Sequence, residues 1–361
     1  MIRRIAINTG GGDAPGLNAV IRAATIAAAR NGWEVLGIRR GYTGLLEGEV
    51  DGEPGVFNLT EHGVRGITHL GGTILGTTTR GNPFGMQPRQ PDGSWGGRDL
   101  SDELISRLRQ LDVDALLAIG GDGSLKVAHI LHQKGMPVIG VPKTIDNDLR
   151  ATDITFGFRT AVEVATDAIG RLHSTAEAHQ RVMVVEVMGR HTGWIALESG
   201  LAGGADVILI PEIPYSLEGV AAKIREREAA GRRFSIVVVA EGARPRDGEP
   251  SYADRSGRYG GIAERLANQI EDLTGKETRT LVLGHIQRGG SPIAYDRVLA
   301  LQLGTAAIRF IDMQIFGTMV ALQGQTIRAV PLVEAVSAVK RIPMDGESIS
   351  AARSLGICLG D

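Results

Sequence analysis

The 361-residue chain is 43% hydrophobic but only 4% aromatic, carries 50 glycines and has a formal net charge of −2. That length is enough for two domains, with cores packed from Val, Ile, Leu and Ala rather than from rings. No long basic or acidic block is present, which excludes a nucleic-acid tail or a polybasic membrane patch, and no apolar run reaches the ~18 residues of a membrane span. One cysteine, Cys358, cannot form an intrachain disulfide, and the apolar stretch near the start is too short for a signal peptide. Both features point to a soluble cytoplasmic protein.

Along the chain one unit recurs: a short β-branched run, a glycine-rich turn, then a helical pattern. Residues 2–8 predict a strand, 10–16 a glycine loop and 17–30 a helix, with the next strand over 33–38. Residues 79–97, rich in Gly, Pro, Asn and Gln, read as a loop or short hairpin. A strand over 115–119 leads into loop 120–124 and a helix to about Gln133. The strand over 138–141 is followed by a polar loop over 142–152, and a helix runs from about Arg159 to Gln180. Further buried strands are expected over 182–187, 207–210, 235–240 and 280–283, with a turn-rich stretch over 244–260. Continuous apolar strands alternating with helices predict an α/β fold with parallel sheets covered on both faces, and ligands at the carboxyl ends of the strands. Apolar periodicity restarts near 152–159, which marks a domain change. The last ~40 residues carry only weak patterns.

Three loops carry the chemistry. In loop 10–16, Gly-Gly-Gly-Asp-Ala-Pro-Gly, backbone N–H groups are free to face an anion in front of a helix N-terminus, although an ordinary tight turn has the same composition. It lacks the Lys-Ser/Thr of a Walker A loop and the dinucleotide spacing. In the second, Gly120, Gly121, Asp122, Gly123 and Ser124 leave room for a polyphosphate, and Asp122 is placed either to hold Mg²⁺ or to cap the next helix. The third runs Pro142, Lys143, Thr144, Ile145, Asp146, Asn147, Asp148. Read as extended, it puts Asp146 and Asp148 on one side, one as a base for a hydroxyl and the other near the metal; alone it would also suit a solvated turn. Arg80, Arg181, Arg190, Arg279 and Arg288 each lie in or beside a loop next to an apolar strand, the placement of a phosphate grip.

In order and spacing, the segments GGGDAPGLNAVIR, GGTILGTTTRGNP, IGGDGS, PKTIDND, VVEVMGRHTGW and LGHIQRGGSP resemble the 6-phosphofructokinase family, from about residue 2 to at least 297. The resemblance implies two Rossmann-like three-layer α/β/α domains with mainly parallel sheets. Residues 1–157 with about 287–338 would bind the donor, and 158–286 with about 339–361 would bind fructose 6-phosphate. It makes Asp146 the base for the fructose 1-hydroxyl, with Thr144 and Asp148 flanking the transferring group and Arg190 beside them. Asp122 would be the Mg²⁺ residue. Gly12, Tyr42, Arg80, Lys143 and Gly120 through Ser124 fall in the donor site. Ile145, Met188, Gly189, Arg190, Glu241, His285 and Arg288 fall on the sugar phosphate, and Arg181 and Arg279 would reach it from a neighbouring subunit of a homotetramer.

Within this family, ATP users typically have Gly at the position of Gly123 and Gly at that of Lys143, whereas pyrophosphate users have Asp and Lys. The mixture resembles the family's mixed-substrate subgroup. An Asp at 123 would occupy the α-phosphate position, and exclusion is the stronger source of specificity, so Gly123 favours ATP. A reversible pyrophosphate-dependent enzyme is the alternative. A different GGDG kinase, acting on NAD or a lipid, would not need TIDND, MGR and HIQR together, and a phosphate or nucleotide sensor would not need the base. Arg22 is retained from the family's effector site, but Ile26 stands where the pattern has another arginine, so the usual allosteric control is not expected.

Overall fold

The computed structural model describes residues 2–79, 99–249, 251 and 259–361. The chain divides into two compact units, one of Met1–Ile145, Leu149–Arg159 and Arg288–Ala338, the other of Asp146–Asp148, Thr160–Gln287 and Val339–Asp361.

The first unit opens with β1 (Arg4–Thr9), α1 (Leu17–Arg30), β2 (Glu34–Ile38), α2 (Thr43–Glu47) and the short strands β3 (Glu49–Val50), β4 (Glu53–Pro54) and β5 (Val56–Leu59). It continues with α3 (Ser101–Gln110), β6 (Ala115–Gly120), α4 (Asp122–Gln133), β7 (Val138–Thr144) and β8 (Phe156–Gly157). The helix α5 (Phe158–His179) leads into the second unit, which holds β9 (Val182–Val187), α6 (Trp194–Ala202), β10 (Val207–Leu209) and α7 (Leu217–Ala229). There follow β11 (Ser235–Ala240), α8 (Ile262–Thr274), β12 (Thr278–Val282) and a 3₁₀ turn, Gly284–Gln287. The chain returns to the first unit with α9 (Ala294–Asp312), β13 (Thr318–Gln323), β14 (Thr326–Pro331) and α10 (Leu332–Ala335), and ends in the second with α11 (Glu347–Ser354).

The first unit's sheet has the order β14-β13-β7-β6-β1-β2-β5, with β8 beside β7. Its centre is parallel and its two edges, β14 and β5, are antiparallel. Every residue of β6 and β7 is buried, as their continuous apolar runs require of strands covered on both faces. Leu104, Leu116, Leu125, Leu131, Val138 and Met319 build the core on one side of it, and α1 packs along α9. The second unit has four parallel strands in the order β10-β11-β9-β12, with Val182, Val184, Val237, Val239, Leu266 and Ile270 in its core. Among the described residues, no helix is long and apolar enough to cross a membrane.

Two expectations are corrected. The strand β7 does not end at Val141 but runs on through Pro142, Lys143 and Thr144. Pro142 pairs with Gly120 of β6, and Lys143 and Thr144 pair with β8, so tertiary pairing overrides proline's usual role as a strand breaker. Beyond it, residues 145–148 are not extended: the chain bends at 145 and 146, and Asn147 takes a left-handed backbone with φ 50°. The same-side placement of Asp146 and Asp148 derived from an extended run therefore does not hold. Most of the polar stretch over 79–97, including Arg80, lies outside the described residues, as do 250 and 252–258.

Candidate active site

In the first unit, β1 leads through α1 to β2 on one side and is flanked by β6 on the other. Such a reversal opens a crevice outside the carboxyl ends of the two strands, the usual ligand position in an open α/β sheet. Both glycine loops emerge there. The amide of Gly10 donates to the Ile119 carbonyl (2.9 Å), that of Gly11 to Thr78 O (3.1 Å), and the Thr77 hydroxyl donates to Gly11 O (2.6 Å). Under this clamp sits Ser124. A Cβ on Gly10 would stand 2.6 Å from Ser124 Oγ, and one on Gly120 would stand 2.3 Å from Ser124 Cβ, so a side chain at either position requires Ser124 to shift. Gly123 is different: no atom lies within 4 Å of where its Cβ would be. The fold does not require glycine at 123; open space is what glycine leaves there.

Cations converge on the first loop. Lys143, only 3% exposed, donates its ammonium to the Gly12 carbonyl, and Arg288 Nη1 donates to Asp13 O at 3.0 Å. The helix α4 begins beside them with Gly121 as N-cap and no side-chain cap, which leaves its first-turn amides facing outward. Asp122, in that first turn, pairs with Lys126 one turn on (2.7 Å). Thr144, at the end of β7, is buried and has its carbonyl held by the Thr155 hydroxyl (2.7 Å). Ile145 is fully buried. Tyr42 lies in the core with its phenol near Asn8; burial pushes its pKa well above the ordinary range, and the Asn8 side chain opposes the shift.

In the second unit the carboxyl ends of β9, β11 and β12 lie side by side. The Glu241 amide donates to Val187 O (2.9 Å), Gly242 to Gly189 O (3.1 Å), Met188 to the side chain of Gln287 (3.3 Å), and Leu283 to Glu186 O (3.0 Å). This brings Met188, Gly189, Arg190, Glu241 and the turn bearing His285 to one edge. The exposed Arg190 guanidinium lies over the Tyr259 ring, 5.0 Å from its centroid, where cation–π attraction restrains it. Burial raises the pKa of the Glu186 carboxyl, against the hydrogen bond it accepts from the Ala263 amide at the start of α8. Asp146 is tied to the same edge, its carbonyl accepting from the Thr192 hydroxyl at 3.2 Å.

Arg181 and Arg279 are not part of this cluster. They flank the amino ends of β9 and β12, and both bind Glu277, Arg181 at 2.6 Å. Six strand residues span about 20 Å, so these two arginines stand at the opposite edge of the sheet.

A family model described as Phosphofructokinase matches residues 4–311. The chain belongs to the phosphofructokinase family. Over 359 residues it is 54% identical to the ATP-dependent 6-phosphofructokinase of Chloroflexus aggregans, covering 99% of this chain and 98% of that protein. To ATP-dependent 6-phosphofructokinase 2 of Clostridium perfringens it is 49% identical, covering 100% and 99%. Among solved structures, Pichia pastoris phosphofructokinase in the T-state superimposes with a TM-score of 0.80 at 32% identity, over 99% of this chain. The chain spans 37% of that yeast chain. The pyrophosphate-dependent phosphofructokinase of Marinobacter aquaeolei gives a TM-score of 0.81 at 23% identity, covering 100% and 93%, a likeness of fold.

Several residues that build this phosphofructokinase-family site carry no signal of their own in the sequence. Thr77 clamps the glycine loop, Thr192 holds Asp146, Gln287 holds Met188, and Tyr259 carries Arg190. Thr77, Thr192 and Gln287 lie inside recognisable motifs, but only the fold gives them partners.

Proposed function

We propose that this protein phosphorylates D-fructose 6-phosphate at its 1-hydroxyl with ATP as donor, forming fructose 1,6-bisphosphate in the committing step of glycolysis. The relatives named ATP-dependent 6-phosphofructokinase, at about half identity across the whole chain, support the reaction. The observation that carries the choice of donor is the open space at Gly123, in a loop where a Cβ on Gly120 would meet Ser124 Cβ at 2.3 Å and one on Gly121 would stand 3.2 Å from Lys143 O.

In this reading the first unit takes the donor. Its phosphates lie on the two glycine loops and the start of α4, with Lys143 and Arg288 supplying positive charge and Arg80 a further grip. Mg²⁺ fits a site with one carboxylate, Asp122, because magnesium keeps several waters and takes its remaining ligands from phosphate. When bound, it neutralises charge on the transferring group. The second unit takes the sugar phosphate on Met188, Gly189, Arg190, Glu241 and His285. Asp146 accepts the proton of the 1-hydroxyl as that oxygen bonds to the γ-phosphorus and the bond to the β-phosphate oxygen breaks. Phosphoryl transfer of this kind relies on positioning and electrostatics, so a rigid turn at 146–148 matters more than covalent chemistry.

Arg181 and Arg279, at the far edge of their sheet, serve the sugar 6-phosphate of a neighbouring copy, which requires at least a dimer with shared sites; the assembly we propose is the homotetramer of the family. A cytoplasmic location follows from the enzyme's substrates and its single cysteine. Lys143, the residue that argues for pyrophosphate, binds the Gly12 carbonyl and so has a task in holding the loop whichever donor is used. The test is fructose 1,6-bisphosphate formation by purified protein with Mg²⁺, with ATP and pyrophosphate in parallel. Turnover with ATP is expected; turnover with pyrophosphate alone would overturn the donor assignment, and none with either would leave a sensor.

A further inference from the structure

Within the second unit, Thr192 and Lys340 hold all three residues of the Asp146–Asp148 turn. Thr192 Oγ donates to Asp146 O (3.2 Å), Lys340 Nζ to Asn147 Oδ1 (3.1 Å), and the Lys340 amide to Asp148 O (2.8 Å). One residue of the C-terminal segment, Lys340, thus binds the turn through both its side chain and its backbone. Asn147, between the two carboxylates, is 3% exposed and sits at φ 50°, a left-handed conformation that Asn tolerates but that needs support from its surroundings.

Lys340 is itself fixed. Its carbonyl accepts from the Trp194 indole N–H (3.1 Å), and its ammonium stands 5.4 Å from the Trp194 ring centroid. Two residues on, the Ile342 amide donates to the Glu212 carboxylate (3.2 Å), which also receives the Gly193 amide (3.0 Å). Glu212 therefore joins the segment carrying Lys340 to the loop that carries Arg190 and Thr192. The result is a bracket with the turn on one side and the sugar-binding loop on the other.

We propose that Lys340 is a positioning residue, which aims the Asp146 carboxylate by holding Asn147 in its left-handed conformation. The proposal rests on the reading of Asp146 as the base. Lys340 Nζ binds the turn through Asn147, so its ammonium acts on the aim of the base, which sets the chemical step rather than substrate affinity. A misplacement of a reacting group by about 1 Å costs on the order of 10²-fold in rate.

The experiment compares steady-state kinetics of Lys340→Met, Lys340→Arg, Asn147→Gly and the Lys340→Met/Asn147→Gly double variant, with Asp146→Asn in parallel. Lys340→Met is expected to lower kcat by about 10- to 100-fold with both KM values within about twofold of wild type. Lys340→Arg, which keeps a cation within reach of Asn147, should recover most of the loss. Asn147→Gly accepts the backbone conformation but lacks the acceptor, so it should reproduce the kcat loss, and the double variant should be no worse than the poorer single one. A Lys340→Met enzyme with wild-type kcat, a loss confined to KM, or multiplicative losses in the double variant each overturn the proposal. If Lys340→Met does not fold, Asn147→Gly decides: a lowered kcat at unchanged KM supports the proposal, and a wild-type kcat overturns it. Should Asp146→Asn keep wild-type turnover, the reading of Asp146 as base fails instead; should it lose turnover while Lys340→Met does not, only the role of Lys340 fails.

Discussion

Gly123→Asp separates what the fold needs from what the donor needs. No atom lies within 4 Å of the new Cβ, and position 123 falls in the first turn of α4. Replacing glycine inside a helix gains up to about 1 kcal/mol, and a carboxylate in the first turn adds about 0.3–1 kcal/mol. The variant should therefore melt at or slightly above the wild-type temperature. Its effect on ATP runs the other way. A carboxylate about 5 Å from a nucleotide phosphate is repelled by about 0.8 kcal/mol per charge at the dielectric of water and about 3 kcal/mol at an effective value of 20. That range corresponds to a rise in the KM for ATP of about fourfold to about 200-fold. Differential scanning fluorimetry and initial rates against ATP at saturating fructose 6-phosphate measure both quantities. An unchanged KM for ATP in a well-folded variant would remove Gly123 from the donor site and with it the steric argument for ATP.

Gly120→Ala should do the reverse, destabilising by about 1–3 kcal/mol because its Cβ would meet Ser124 Cβ at 2.3 Å; adding Ser124→Gly should restore the denaturation midpoint. Mixing Arg279→Ala with Asp146→Asn protein and allowing subunits to exchange should regenerate activity that neither shows alone, if Arg279 serves a neighbouring copy; no recovery after verified exchange contradicts the shared site. Asp99 has its carboxyl held down to about 2, chiefly by the Ser101 hydroxyl, then by the Ser101 amide and Lys134. A lowered carboxylate stabilises the fold above its unfolded pKa of 3.8 and loses that contribution as pH falls through about 2, so Asp99→Asn should flatten the acid limb of a stability–pH curve over that window.

The parts of this molecule legible in the sequence are those whose signal is local. ALLAIG and SIVVVA are near-continuous apolar runs, one ending in glycine and the other two residues before one, and both become fully buried parallel strands. The loops at the ends of β1 and β6 follow from the same punctuation. What was not legible depends on partners far away. The strand β7 continues through Pro142 because β6 and β8 pair with it. The Asp-Asn-Asp stretch reads as extended, whereas Asn147 is left-handed and its side chain is gripped by Lys340, 193 residues on. Arg288 shares a motif with His285, yet its guanidinium donates to the Asp13 carbonyl, 275 residues upstream in the first glycine loop. Lys340 itself lies in a C-terminal stretch whose periodicity is too weak to single out any residue.

The most direct measurement is turnover of fructose 6-phosphate and ATP by Asp146→Asn beside the wild type, with circular dichroism and ATP binding recorded on both. Removing a positioned base typically costs about 10²–10⁴ in rate, so kcat should be lower by about that factor with fold and ATP affinity unchanged. A variant that turns over at close to the wild-type rate would contradict the assignment of the base and the mechanism built on it.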